Sequence, residues 1–430
     1  MLKNKTAEER LAALTGIYNI AATAPFYTKK YADIPAPVTW DDWAKIPFLS
    51  RDEVFNNAFP HSTDMLTCPV EGMIVIATGG SQGIARHTVF THAEWHNFAA
   101  IQAAALSKLG VTSKDRVANL FVAGNMWPSF LGGHEIIKHI GAVHLPISAG
   151  AKAEDVIRYC VDFSATVMLS LPTALVFYAD AALQNNIQIP SLRLALYAGE
   201  QMSTEAKNHF IKAFPNAQVK AVAYTSADAG LMGYQCPCCG FGEYHLPTAF
   251  QHLEILEPDS GKAMQPGEKG EIFVTNLARF SMPVIRYQIG DLASWVDQKC
   301  PCGDPNPLFR LAGRAGDDFK LGGAYISLAV VERLVSELGK GLLLNYCLIL
   351  EDIVNQVDIT LQLETSDPEG CVALEQPLRE RLQEEISEFR VGLEMQYIRK
   401  LTIEFLPVGS LPANPRTGKT KHLVDKRVIG

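Results

Sequence analysis

The segment Val75-Ile76-Ala77-Thr78-Gly79-Gly80-Ser81-Gln82-Gly83 ends an apolar run in three glycines and two hydroxyl side chains. Glycines let backbone N–H groups turn inward around an anion, and Thr78 and Ser81 add hydroxyl donors. A second β-like run, His87 to Phe90, follows, so the segment reads as strand, glycine-rich loop, strand. No Gly-Lys-Ser/Thr follows and no helix obviously starts there, which excludes a Walker-type loop. Taken alone, an ordinary tight turn is the simpler reading. The question is whether the rest of the chain supplies a nucleotide site around it.

Two cysteine knots are the second chemically capable feature, Cys236-Pro-Cys238-Cys239-Gly and Cys300-Pro-Cys302-Gly. In a reducing compartment such knots suggest a metal before disulfides. Cys238, His245 seven residues on, Cys300 and Cys302 make an S₃N set suited to tetrahedral Zn²⁺. Cys236 and Cys239 form an alternative pair, so the choice of thiolates stays open. Four protein ligands leave no open position, so the expected role is structural. Cys68, Cys160, Cys347 and Cys371 stand alone and read as small buried hydrophobes.

The elements that must position these residues follow from pattern. Capped helices begin at Ser50, with Glu53 at the third helical position, and at Thr91. From Arg116 to Val222 strands and helices alternate, with helices at Trp127–Ile140, Ala153–Phe163, Ala174–Leu183 and Thr204–Phe214. Such alternation predicts an α/β fold with a largely parallel sheet, whose ligands gather at strand C-terminal ends. After residue 230 antiparallel strands separated by turns take over. Beyond Gly313-Arg314 an α+β tail of about 115 residues follows, large enough to fold as a unit. Its helices are expected at Ser327–Leu338 and Glu375–Ser387, its last strand at Leu401–Phe405, and its end is basic and loop-like. The expected domains are therefore 1–312, with a β-rich part at 230–312, and 313–430 beyond a hinge.

At 430 residues the chain is long enough for two or more domains. A net charge of −8, from 38 basic and 46 acidic residues, argues against nucleic acid or an anionic membrane as partner. No apolar run approaches about 18 residues and the start has no signal-like core, so a cytoplasmic enzyme is expected.

Five segments, in order, resemble the adenylate-forming (acyl-CoA synthetase-like) enzymes, and most closely the phenylacetate–CoA ligase branch. The glycine loop resembles their pyrophosphate loop. Tyr224-Thr-Ser-Ala-Asp228 stands for their Tyr-Gly-x-Ser/Thr-Glu, and Arg286-Tyr-Gln-Ile-Gly-Asp291 for their Tyr-Arg-Thr-Gly-Asp. Gly313-Arg314, followed by Lys320 and Glu332, resembles their hinge, and Pro415-Arg-Thr-Gly418-Lys419 their C-terminal Gly-Lys. Cys238, His245 and Cys300-Pro-Cys302-Gly also match a Cys-x₆-His and Cys-Pro-Cys-Gly carried by several members of that branch.

The resemblance implies ATP, Mg²⁺ and coenzyme A as cofactors, with structural Zn²⁺ at the cysteine knots, and a small carboxylic acid as substrate. Thr78, Gly79, Gly80, Ser81 and Gly83 would hold the leaving phosphates. Tyr224 and Thr225, beside Gly199-Glu200, would border the adenine. Asp291 would accept the ribose hydroxyls, Asp228 would bind Mg²⁺, and Arg314 would contact the nucleotide near the hinge. Lys419 would stabilise the transition state of adenylation, and a mobile C-terminal domain would then close for thioester formation. Phe121, Trp127, Phe130 and His134 are candidates to line the acid pocket and suit a planar aromatic acid. Without the ordered motifs, each of these residues would read as a core aromatic, a cap or a solvated charge.

Some residues depart from the family pattern. Gly79 replaces a common Ser/Thr, Ile84 stands where many relatives have Lys, Asp228 is one methylene shorter than Glu, and Gly316 replaces a hinge Asp. They leave alternatives open: an amine, a carrier-protein thiol or a deazaflavin hydroxyl as acceptor, or a nucleotide-binding module on a degraded synthetase fold. The acid, the acceptor and the oligomeric state, a homodimer included, are not fixed by sequence.

Overall fold

The computed structural model describes residues 4–77, 86–199, 202–258, 260–314, 318–321, 324–339, 341–353, 356–414 and 418–427. The expected phosphate-loop residues Thr78, Gly79, Gly80, Ser81 and Gly83, together with Ile84 and Glu200, lie outside them, as do Gly316 and residues 415–417. Two compact units emerge, Met1–Pro146 with Ala221–Ala315, and Ile147–Lys220 with Gly316–Gly430. This division differs from a split into 1–312 and 313–430, because residues 147–220 gather with the tail.

In the first unit, strands Met73–Ala77 and His87–Thr91 pair antiparallel on either side of the glycine segment. Thr91 caps the helix His92–Lys108 in a reciprocal capping box with Glu94. The Glu94 carboxylate also accepts from the Phe280 and Ser281 amides, at 2.7 and 2.8 Å, so one capping residue ties this helix to the β-rich region. Strands Arg116–Asn119 and Val143–Leu145 are parallel, joined through the helix Pro128–Ile140. The texture change after residue 230 is a seven-stranded antiparallel sheet. Its order runs Gln251–Leu256, Gly270–Asn276, Tyr287–Val296, Leu308–Arg314, Glu243–His245, Gly230–Tyr234 and Ala223–Ser226.

In the second unit, Ala153–Asp162, Val167–Ser170, Pro172–Gln184, Leu194–Tyr197 and Thr204–Ala213 alternate helix and strand, the two strands parallel. The tail forms a four-stranded sheet in the order Ile398–Pro407, Gln356–Thr365, Leu343–Ile353, Leu423–Asp425. Its core includes Leu348, Leu350, Ile359, Leu361, Leu363 and Phe389. The helix expected over Glu375–Ser387 ends at Glu385, and a second begins at Ser387. Ile386 leaves helical geometry (φ −109°, ψ 87°) to bury its own side chain. Strand Leu423–Asp425, where a loop was expected, pairs parallel with Leu343–Ile353. Together these features make a mixed α/β protein. Among the described residues no helix is long and apolar enough to cross a membrane.

Arg286 shows how the β-rich sheet holds the N-terminal segment. Its guanidinium meets both Glu254 oxygens at 3.0 and 3.1 Å and donates to the Ala44 and Ile46 carbonyls at 2.9 and 2.6 Å. It is 3 % exposed and adopts a left-handed φ of 46°. Removing one partner of such a buried pair leaves the other charge uncompensated. Arg286→Ala should therefore cost about 3–5 kcal/mol in urea unfolding; a loss below about 1 kcal/mol would contradict this anchoring role.

Candidate functional site

Within the first unit, the motif residues of the β-rich sheet converge. Tyr224 stands opposite Gly233 in the pairing of Ala223–Ser226 with Gly230–Tyr234. Its hydroxyl donates to Asp291 Oδ2 at 2.6 Å, and its ring meets Phe309 and Tyr244 at 5.9 and 6.0 Å between centroids. Asp291, in the strand Tyr287–Val296, is in register with Arg314. Thr225 is exposed on the same short strand as Tyr224. The arrangement joins a flat aromatic group to a carboxylate that can accept hydroxyl protons, the chemistry a nucleoside requires.

Asp228 is almost fully buried, at 1 % exposure. Its Oδ2 accepts from Arg86 and from the Tyr287 hydroxyl, each at 3.0 Å, while Oδ1 accepts no hydrogen bond among the described residues. Arg279 donates to the Asp228 backbone carbonyl and passes over the Phe90 ring. Burial works against the Arg86 charge, but Asp228, together with Tyr287 and Asp52, leaves its pKa raised. Burial and then Asp228 push the Tyr287 phenol up, keeping it neutral. A buried carboxylate oxygen without a donor is an expensive arrangement unless a cation uses it. Asp228 thus fits a hard divalent ion of the Mg²⁺ kind, which takes oxygen ligands.

Arg86 and Tyr287 were not among the sequence candidates. The signal for Arg86 was its place directly before the β-like run His87 to Phe90. Tyr287 lay inside the Arg286–Asp291 motif without an assigned role.

In the second unit, Lys419 Nζ donates to the Gly199 carbonyl oxygen at 2.7 Å. Gly199 has φ 90°, and a Cβ there would stand 2.9 Å from Lys419 Cε, so only glycine permits the approach. The Lys419 backbone carbonyl accepts from Asn414, Gly418 turns at φ 73°, and Thr420 meets Thr173 and Asn345 at 2.9 and 3.1 Å. Two motifs 220 residues apart are thereby brought together.

Two of the pocket candidates, Phe121 and Phe130, are hydrogen-bonded to Asn119. Its side chain donates to the Phe130 carbonyl at 3.0 Å and accepts from the Phe121 amide at 3.4 Å. Gly133 permits this, since a Cβ there would lie 2.9 Å from Asn119 Nδ2. Phe121 is buried and Trp127 half-buried at the helix N-cap, whereas His134 is exposed and meets His144 at 3.2 Å between Nδ1 atoms.

The cysteine knots also converge. Cys236, His245, Cys300 and Cys302 place their ligand atoms within 4.8 Å of one another. Cys236 lies 3.5 Å from Cys300, and Cys302 lies 3.5 Å from His245 Nε2. His245 Nδ1 donates to the Asn306 carbonyl at 3.2 Å, leaving Nε2 as the lone-pair nitrogen. Cys238, expected in the set, is exposed and outside the group, and Cys236 takes its place. The physical reason is the turn closed by Cys239 N–H on the Cys236 carbonyl at 3.1 Å, which turns Cys236 and Cys239 inward. Tetrahedral Zn²⁺ with sulfur at about 2.3 Å spaces its thiolates by roughly 3.7 Å, so the donor set fits.

No family model matches the chain. Among curated proteins it is 21 % identical over 421 residues to phenylacetate–coenzyme A ligase of Pseudomonas putida, covering 94 % of this chain and 90 % of that one. It is 24 % identical over 395 residues to the enzyme of the same name from Aromatoleum evansii, covering 90 % and 85 %. Among solved structures, 2-hydroxyisobutyryl-CoA ligase in the postadenylation state superposes with a TM-score of 0.81 at 18 % identity, covering 99 % of this chain and 91 % of that chain. By motif order and by likeness along nearly the whole sequence the chain resembles the phenylacetate–CoA ligase branch of the adenylate-forming enzymes, and its fold is similar to that of an acyl-CoA ligase.

Proposed function

We propose that the protein is an ATP-dependent carboxylic acid–CoA ligase acting through an acyl-adenylate, on a small planar acid of which an aromatic acid is the preferred case. The observation that carries this reading is the seat of Lys419 on Gly199: a distant lysine meets the segment that resembles the adenine side of the family's site. A carboxylate oxygen attacks the α-phosphorus of ATP; the new P–O bond forms as the bond to pyrophosphate breaks. The thiol sulfur of coenzyme A then attacks the acyl carbon and AMP leaves.

Residue roles follow from where negative charge must be held. Tyr224 and Asp291 bind the nucleoside, with Thr225 and Arg314 beside them. Asp228 holds Mg²⁺, which when bound neutralises phosphate charge. Arg86 supplies the cation that the loop lacks at Ile84, and Thr78, Gly79, Gly80, Ser81 and Gly83 give the leaving phosphates their hydrogen-bond donors. Lys419 stabilises charge developing at the α-phosphate. The segment 313–430 acts as the lid domain. Phe121, Trp127, Phe130 and His134 select the acid. Cys236, His245, Cys300 and Cys302 hold a structural Zn²⁺. The departures at Gly79 and Ile84 favour, as the second reading, a nucleotide-binding module without ligase activity.

Pyrophosphate release with a panel of aryl and alkyl acids, with and without coenzyme A, separates these readings. Acid-dependent pyrophosphate and a thioester are expected; pyrophosphate without thioester points to an amine, a carrier-protein thiol or a deazaflavin hydroxyl as acceptor. Absence of acid-dependent release points to the binding module. Lys419→Ala and Arg86→Ala should each slow adenylation by about 10²-fold or more, on the scale of losing one transition-state donor. Both should largely spare thioester formation from supplied acyl-adenylate, and equal losses in the two half-reactions would contradict the roles. Protein purified without chelator should carry one zinc per chain by elemental analysis; well under one would remove the zinc from the account.

A further inference from the structure

We propose that His96, Glu135 and His139 form a second metal site, for a first-row divalent cation held by nitrogen and oxygen donors. The three ligand atoms lie within 4.8 Å of one another. Glu135 and His139 are one turn apart on the helix Pro128–Ile140, so they share a face, and His96 comes from the helix His92–Lys108 packed against it. The two helices also meet where Gly132 faces the Trp95 ring, which a Cβ there would touch in an ordinary contact of 3.8 Å.

The tautomer of His139 favours a ligand over a chance cluster. His139 Nε2 lies 3.1 Å from the His96 carbonyl oxygen, which can only accept, so Nε2 carries the proton and Nδ1 keeps the lone pair. A backbone carbonyl fixing the tautomer in this way is the usual support of a metal-bound imidazole. The His96 and His139 ring centroids stand 4.2 Å apart at an interplanar angle of 53°. The Glu135 carboxylate faces one competing ammonium, Lys138 Nζ at 3.4 Å from one oxygen, and His134 Nε2 lies 4.0 Å from the other.

A metal with donors at about 2.0–2.2 Å needs the three ligand atoms roughly 3–3.5 Å apart. The three side chains are exposed or half-buried, so rotamer adjustment covers the difference. Two imidazoles and a carboxylate suit Zn²⁺, Co²⁺ or Ni²⁺ rather than Mg²⁺ or Ca²⁺. Three protein ligands leave positions for water, unlike the closed cysteine set. A bound ion would pin the His92–Lys108 helix to the helix bearing Phe130 and His134.

Titration of the full chain with Co²⁺ tests the site, followed by calorimetry and visible absorption. Binding here should give only the weak visible bands of an ion with nitrogen and oxygen ligands. Co²⁺ in the cysteine set adds an intense near-ultraviolet thiolate band, so the two sites are read separately. Glu135→Gln and His139→Ala should each weaken the thiolate-free binding at least 10-fold while leaving the thiolate band unchanged. Lys138→Met, which removes the competing ammonium, should tighten it several-fold. Circular dichroism checks that each variant folds, and Glu135→Gln serves should His139→Ala not fold. The proposal is overturned if the wild-type chain binds no Co²⁺ outside the thiolate set, or binds it equally well in both ligand variants.

Discussion

The first unit is organised around one buried carboxylate. Asp228 is almost wholly removed from water, and a charge in that position must be paired or bonded. Arg86 and Tyr287 satisfy one of its oxygens, and Arg279 holds the backbone carbonyl of the same residue. These partners come from three separated stretches of the chain, so Asp228 binds the end of the glycine segment, the strand carrying Asp291 and the turn after Asn276 to one point. The carboxylate's second oxygen is left over among the described residues. Burial of the acid, two bonds to one oxygen and, among the described residues, none to the other make this the strongest electrostatic feature of the unit.

The second unit has the complementary arrangement. There a lysine, not an acid, is held in place, and it is held by backbone. Gly199 contributes a carbonyl at a φ that side chains avoid, and its missing Cβ makes room for the Lys419 stem. The flanking bonds of Thr420 with Thr173 and Asn345 keep the lysine from being a mobile charge on a basic tail. A lysine so restrained loses less entropy when it meets an anion, which is the advantage of preorganised charge in catalysis.

Much of this was legible in sequence, for identifiable reasons. The alternation from Arg116 to Val222 and the capping boxes at Ser50 and Thr91 are local signals, and the structure carries them nearly residue for residue. Tyr224, Asp228, Asp291 and Lys419 stood out because short motifs keep their spacing. Other features depended on contacts that no local pattern encodes. Arg86, directly before the β-like run His87 to Phe90, carried no reading of its own until its contact with Asp228 was in place. Cys238 and Cys236 are both one step from a proline, and only the turn closing on the Cys236 carbonyl decides which sulfur faces inward. Strand Leu423–Asp425, three residues between His422 and Lys426, is too short to announce itself; its pairing with Leu343–Ile353 makes it a strand.

The central claim is that the acid's own oxygen becomes bonded to the α-phosphorus. The direct measurement is mass spectrometry of AMP after turnover of an active acid labelled with ¹⁸O in its carboxylate, in the presence of ATP and coenzyme A. The account predicts AMP carrying one labelled oxygen, because the P–O bond made in adenylation survives when the thioester forms. Unlabelled AMP, or ADP and phosphate as the products, would contradict it.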